Sequence, residues 1–289
     1  MKSNAENQRT LESVQATINY ISDSGEKPVT FSNAPGAPRV TGNTGKYEQR
    51  AVTIHNGRLS NNSFSLEKEG FVLVNRDTRV ADFYDDAEVR SVYYPEIESL
   101  VKDLTGAARV LIFDHTLRAE NEATRQEKFA SGPVRRPHND YTEWSGPQRV
   151  RDLLPAVEAE ELLRHRFAVV QVWRPIRNPV ATAPLAIADA QSIGIKELVP
   201  TERRYPDRVG EIYHLAYSPD HRWYYFPDMR PDEALVFKCY DSMKDGRSRW
   251  SAHSAFDDPN SPANAPARES IEVRTLVFFA SGNTQSASQ

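Results

Sequence analysis

Apolar positions along the chain follow two periods. After Asp85 and Asp86, which offer a helix start, Val89, Val92, Tyr93, Ile97, Leu100, Val101 and Leu104 recur every three to four residues. That is the stripe of an amphipathic helix. Gly106 stands where a left-handed terminator is wanted, and Pro95 predicts a kink or the start of a second helix. Elsewhere the pattern is that of strands, with β-branched and aromatic runs bounded by turn residues. Strands are expected at 70–76 and 108–115, then at 167–176, 184–193, 211–218, 223–228, 233–242 and 270–279. Residues 147–166 carry short helical stretches broken by Pro155. Residues 1 to about 25 lack a strong period and read as a flexible N-terminus, with 283–289 as a polar tail. Residues 33–46, dense in Pro, Gly and Asn, read as loop.

This order gives a mainly β fold with flanking helices, a barrel or double-sheet jelly roll. One domain is expected over 26–282, with a helical and strand N-terminal part to about 130 and a jelly-roll core over about 105–282. Helices come early and strands late, which excludes a βαβ alternation. Neither GxGxxG nor GxxxxGK[ST] occurs, so the usual dinucleotide and nucleoside-triphosphate signatures are absent.

Composition narrows the function classes. The 289 residues carry 36 Lys and Arg against 40 Asp and Glu, a formal net charge of -4 that argues against a general nucleic-acid binder. Mean hydropathy is -0.63, no apolar run reaches the length of a spanning helix, and the N-terminus lacks an apolar signal core. A cytoplasmic protein with no membrane or nucleic-acid partner is expected. A single cysteine, Cys239, excludes an internal disulfide and a Cys-rich metal site, and reads as an inert buried thiol.

The candidate chemistry lies in a few polar residues. Of seven histidines only His138 opens a His-x-Asp sequence, with Asp140. On an extended segment residues i and i+2 point to the same side, so His138 and Asp140 can serve one metal. His253, beyond the 233–242 strand, is the candidate third ligand of a two-histidine, one-carboxylate triad of the kind that holds non-haem Fe(II). Read blandly, His138 and Asp140 are a loop pair and His253 a surface or core histidine. Arg268, Ser270, Glu272 and Arg274 share one face of the last strand by period two. A guanidinium held inside a barrel mouth wants a carboxylate, which its fork binds with two hydrogen bonds. A dicarboxylate co-substrate would supply one; a strand-face ion pair with Glu269 or Glu272 is the bland reading. His115 and Arg118 read as packing before pocket, and Trp144, Trp173 and Gln171 as core before pocket wall.

The ordered set of His-x-Asp, distant His and Arg-x-Ser resembles the Fe(II)/2-oxoglutarate-dependent oxygenases. The segments TGAARVLIFDHTLR (105–118), VRRPHNDYT (134–142), VWRPI (172–176), PLAIADAQS (184–192), DEALVFKCYDS (232–242) and ARESIEVRTLVFF (267–279) resemble the cephalosporin 7α-hydroxylase/methoxylase component and related natural-product oxygenases. The likeness covers roughly residues 70 to 280. It implies a double-stranded β-helix (jelly roll, cupin-like) and iron held by His138, Asp140 and His253. It implies 2-oxoglutarate held by Arg268 with Ser270 beside it, and Arg274 as a competing or second contact. Arg268 lies fifteen positions beyond His253, further than in many such enzymes, and residues 257–266 form a loop insertion that accounts for the spacing.

The implied reaction consumes O₂ and 2-oxoglutarate, with ascorbate as reductant in vitro. It releases succinate and CO₂ and oxidises an unactivated C–H bond of a small natural-product intermediate. Hydroxylation leads, with desaturation, epoxidation and cyclisation as other outcomes. Asp140 argues against halogenation, because related halogenases lack this carboxylate. A non-catalytic metal-binding accessory subunit is the alternative, and a Zn hydrolase a third reading. The oligomeric state stays open, a homodimer included.

Overall fold

The computed structural model describes residues 11–22, 24–31, 42–60, 63–206 and 208–280. Fourteen strands form two sheets among the described residues. They are β1 (Ser13–Ser22), β2 (Val29–Phe31), β3 (Lys46–Asn56), β4 (Phe71–Asn75), β5 (Arg109–Ala119), β6 (His138–Asn139) and β7 (Phe167–Pro175). The others are β8 (Leu185–Ala188), β9 (Leu198–Arg204), β10 (Val209–Leu215), β11 (Trp223–Tyr225), β12 (Glu233–Asp241), β13 (His253–Ala255) and β14 (Glu269–Phe278). The larger sheet runs β1-β3-β11-β8-β13-β6-β10-β9-β2 and the smaller β4-β12-β7-β14-β5.

The expected jelly roll is the observed fold. β7 and β12 are buried at every position, which is why each reads as mostly apolar with little alternation. One face of the smaller sheet is covered by the early helix, where Val89, Tyr93, Ile97, Leu100 and Val101 pack on Val170, Val172, Val236 and Val273. Its other face packs Val169, Trp173, Leu235, Phe237 and Leu276 in a second cluster with Phe71, Tyr141 and Phe226.

The helix begins as the sequence predicts, with the Asp85 side chain accepting from the amides of Ala87 and Glu88. It ends at Gly106, left-handed at φ 68°. A π-helical turn, Val89–Tyr93, precedes Pro95, and α1 (Tyr94–Thr105) continues the same run. Proline sits in the first turn of α1, where its missing N–H costs nothing. Pro155 likewise separates α3 (Ser145–Leu153) from α4 (Ala156–Leu163), and α2 (Glu122–Glu127) follows β5.

Three expectations are corrected. The N-terminal 25 residues are not all loose: β1 pairs in full antiparallel register with β3, from Ser13 opposite His55 to Ser22 opposite Lys46. Val14, Ala16, Ile18 and Tyr20 bury one face while Gln15 and Thr17 face water, so the period is two but half the positions are polar. The jelly roll therefore starts well before residue 105, since β1, β3 and β4 belong to its sheets. The strand expected at 184–193 stops at Ala188 and gives way to a 3₁₀ turn, Ala190–Ser192, capped by Asp189. Residues 32–41, most of the expected loop at 33–46, and the tail at 283–289 lie outside the described residues.

Gly70 ties the fold to the site. Its backbone is left-handed at φ 87°, and an added Cβ would run into the hydroxyls of Ser251 and Ser248. Its carbonyl accepts from Ser251 Oγ (3.0 Å), two residues before His253. Gly70→Ala is expected to destabilise the protein by about 2–4 kcal/mol, combining left-handed strain with overpacking. Urea denaturation checks this, and a loss below about 0.5 kcal/mol contradicts the reading of a close backbone approach.

Candidate active site

His138 lies on β6, a two-residue strand inserted between β10 and β13. Register places His138 directly opposite His253 on one side and His214 on the other. Asp140 follows two residues on. One nitrogen from each of His138 and His253 and one Asp140 oxygen lie within 4.8 Å of one another, all three residues buried.

The local hydrogen bonds prepare these atoms as ligands. The His138 Nδ1 faces the Arg136 carbonyl at 2.8 Å, which makes it the protonated nitrogen and leaves Nε2 a lone pair. The His253 Nδ1 faces the Ser251 carbonyl at 3.3 Å, and its Nε2 is buried with no hydrogen-bond partner. Asp140 Oδ1 is likewise buried without a hydrogen-bond donor. A buried polar atom left unpaired is costly, and two of them facing a third ligand atom fit a cation. Burial, and then the neighbouring His253, push the His138 pKa down to about 3. Both imidazoles are thus held neutral, the form a metal requires. Burial would raise the Asp140 carboxyl, but the Arg274 guanidinium holds it well below the usual range.

His214, though level with them, is not part of this group. Its Nδ1 is hydrogen-bonded with Thr201 Oγ1 at 2.9 Å.

The other Asp140 oxygen is held by two donors from neighbouring strands. Gln171 Nε2 (2.6 Å) and Arg274 Nε (2.7 Å) both reach Oδ2, and these residues are register partners on β7 and β14. Arg274 also donates to Glu272, to Asp114 Oδ1 (3.1 Å) and to Thr116 Oγ1 (3.0 Å). Burial opposes its charge, but Glu272, Asp140 and Asp114 outweigh it and push the pKa up. Gln171, Glu272 and Asp114 thus form a support around Asp140; the sequence offered Gln171 as core or pocket wall and Glu272 as a strand-face ion-pair partner, but not Asp114. A pairing between distant strands leaves no mark in either strand's own pattern.

Arg268 is placed differently. It lines a narrow cavity with His138, His253, Trp173, Arg118 and Glu272, so one cavity joins the two histidines to this arginine. Arg268 Nη1 donates to the Ala183 carbonyl at 2.5 Å, while Nε is buried with no acceptor. Ser270 Oγ is also buried and unpaired. Burial, reinforced by the charge of Arg118, pushes the Arg268 pKa down to about 9, the mark of a cation short of an anion. Arg274 does not line this cavity; it faces a larger chamber of about 690 Å³ on the other side of Asp140.

Arg118 borders both spaces, and Trp144 and Tyr141 line the chamber. His115 packs away from the site against Tyr94, at 2.9 Å. Cys239 is buried, and burial raises its thiol pKa.

Residues 18–278 match the family described as "Oxidoreductase/YMDC permease-like domain". The "Fe(II)/2-oxoglutarate-dependent dioxygenase nvfI" of Aspergillus novofumigatus is 35% identical over 266 residues, covering 89% of this chain and 93% of that one. The "Hydroxylase/desaturase efuI" of Hormonema carpetanum is 32% identical over 291 residues, covering 92% and 95%. The chain belongs to this family of Fe(II)/2-oxoglutarate-dependent dioxygenases. A solved structure of the iron and alpha-ketoglutarate-dependent endoperoxidase NvfI superposes with a TM-score of 0.82 at 29% identity, over 94% of this chain and 100% of that one. The dioxygenase therefore uses Fe(II), 2-oxoglutarate and O₂, and its relatives are fungal enzymes of natural-product biosynthesis. The catalytic reading stands over the accessory subunit. Among the described residues no helix is long and apolar enough to cross a membrane.

Proposed function

We propose that His138, Asp140 and His253 hold the iron and that Arg268 with Ser270 holds the distal carboxylate of 2-oxoglutarate. The supporting observation is the cavity that joins two histidines of the triad to Arg268, whose Nε is buried and unpaired; Ser270 Oγ, two residues on, is also buried and unpaired. Bound iron supplies oxidation of an unactivated C–H bond, coupled to conversion of 2-oxoglutarate to succinate and CO₂. The chain's residues do the positioning. Arg268 and Ser270 fix one end of the co-substrate so that its 2-oxo acid end faces His138 and His253. Trp173, with Arg268 5.5 Å above its ring, closes the cavity wall against water. The chamber beside Asp140 takes the organic substrate, a small natural-product intermediate. Hydroxylation is the leading outcome, with desaturation, epoxidation or cyclisation set by substrate placement.

Arg274 is a positioning residue on this reading. Its three carboxylate partners leave no open pair of donors for a co-substrate, and it holds Asp140 so that Oδ1 faces the histidines. Arg274→Ala is expected to weaken Fe(II) binding about 10–100-fold, the usual cost of losing a residue that orients a ligand. Calorimetry reads both ligands. A loss confined to 2-oxoglutarate would make Arg274 the co-substrate arginine instead.

The finer likeness to the cephalosporin 7α-hydroxylase/methoxylase group, a single domain that includes β1 and so begins before residue 26, a cytoplasmic location and a homodimer complete the proposal. The whole reading is tested by succinate release from purified protein with Fe(II), ascorbate, 2-oxoglutarate and O₂. Turnover without a substrate partner protein supports it; release that is unchanged by leaving out iron overturns it.

A further inference from the structure

The larger chamber has a charge pattern that the oxygenase reaction leaves unused. Five arginines and four carboxylates face it. The carboxylates already have partners: Asp140 and Asp114 are bonded to Arg274, Glu211 to Lys27 and Thr142, and Asp152 to Gln148. The arginines are less evenly matched. Arg149, half-buried on α3, lies with its guanidinium 4.9 Å over the Phe113 ring. Among the described residues it has no hydrogen-bond acceptor and no carboxylate within 4.0 Å. On the facing β9–β10 hairpin, Arg208 lies 3.9 Å from the Tyr205 ring. Stacking on an aromatic face holds a guanidinium in place while leaving its N–H fork open for an anion.

We propose that the organic substrate carries a carboxylate, that Arg149 is the specificity residue that binds it, and that Arg208 attracts it to the mouth. This deepens the oxygenase reading and rests on it for the chamber being the substrate site. The carboxylate sits on the α3 side, with the body of the substrate against Tyr141, Trp144 and Tyr205 and the reacting carbon toward Asp140.

The test uses protein loaded with Co(II) and 2-oxoglutarate, so that Arg268 is already occupied and nothing turns over. Binding of 1-naphthoate and of its neutral analogue 1-naphthamide is then measured by calorimetry. The acid is expected to bind about tenfold or more tightly than the amide, the worth of one charge-assisted hydrogen bond at a half-exposed site. Arg149→Gln is expected to erase that gap, and Arg149→Lys to keep part of it. Equal affinities in the parent protein, no binding of the acid, or an undiminished gap in Arg149→Gln would each overturn the proposal. The preceding 2-oxoglutarate titration is read separately. If it fails, the oxygenase reading falls and this proposal with it; if it succeeds, the acid–amide gap and its dependence on Arg149 decide the substrate class alone.

Discussion

Replacing Asp140 with alanine is expected to abolish turnover and Fe(II) binding while leaving the fold intact, and His138→Ala or His253→Ala to do the same. A three-ligand site cannot spare a donor. Asp140 should be the most severe, because its removal also leaves Arg274 and Gln171 without their shared acceptor. Losing one partner of a buried pair costs about 3–5 kcal/mol, so Asp140→Ala should also lower thermal stability. Asp140→Asn keeps the shape but loses the charge, and should recover stability only in part. Succinate formation, metal content and melting temperature measure the three effects. Near-normal turnover in Asp140→Ala would remove this residue from the metal site.

Arg268→Ala is expected to raise the apparent constant for 2-oxoglutarate by two orders of magnitude or more, since removing the cation of a desolvated pair costs about 3–5 kcal/mol. Iron binding should change little, because Arg268 reaches no atom of the triad. Lysine should rescue poorly: it cannot form the planar fork, and its charge would be buried with the same deficit of acceptors. Free Arg268 is held near pKa 9 by burial and by Arg118, so an arriving carboxylate removes an electrostatic penalty as well as making a hydrogen bond. Arg274→Ala provides the contrast, with iron affinity rather than co-substrate affinity reduced.

The two arginines show where sequence reasoning stops. Arg274 stands on β14 and Arg268 just before it, and either suits a dicarboxylate by spacing alone. What separates them is the residues opposite. Arg274 meets Gln171 in register and three carboxylates, whereas Arg268 meets a single carbonyl and the Trp173 ring. The long strands β7, β12 and β14 were legible because each is rich in β-branched and aromatic residues. β1 and β3 were not, since a half-exposed strand spends every second position on polar residues. β6 and β13 span two and three residues, too short for any period, yet they carry His138 and His253. The proposed metal ligands were singled out by donor chemistry and by resemblance to a family.

The central claim is that the triad and Arg268 bind one co-substrate between them. An anaerobic titration of the Fe(II)-loaded protein with 2-oxoglutarate, followed by calorimetry, addresses it most directly. The account predicts one equivalent bound, binding much weakened without iron, and none detectable in Arg268→Ala at the same concentrations. Equal binding with and without iron, or wild-type binding by Arg268→Ala, would contradict it.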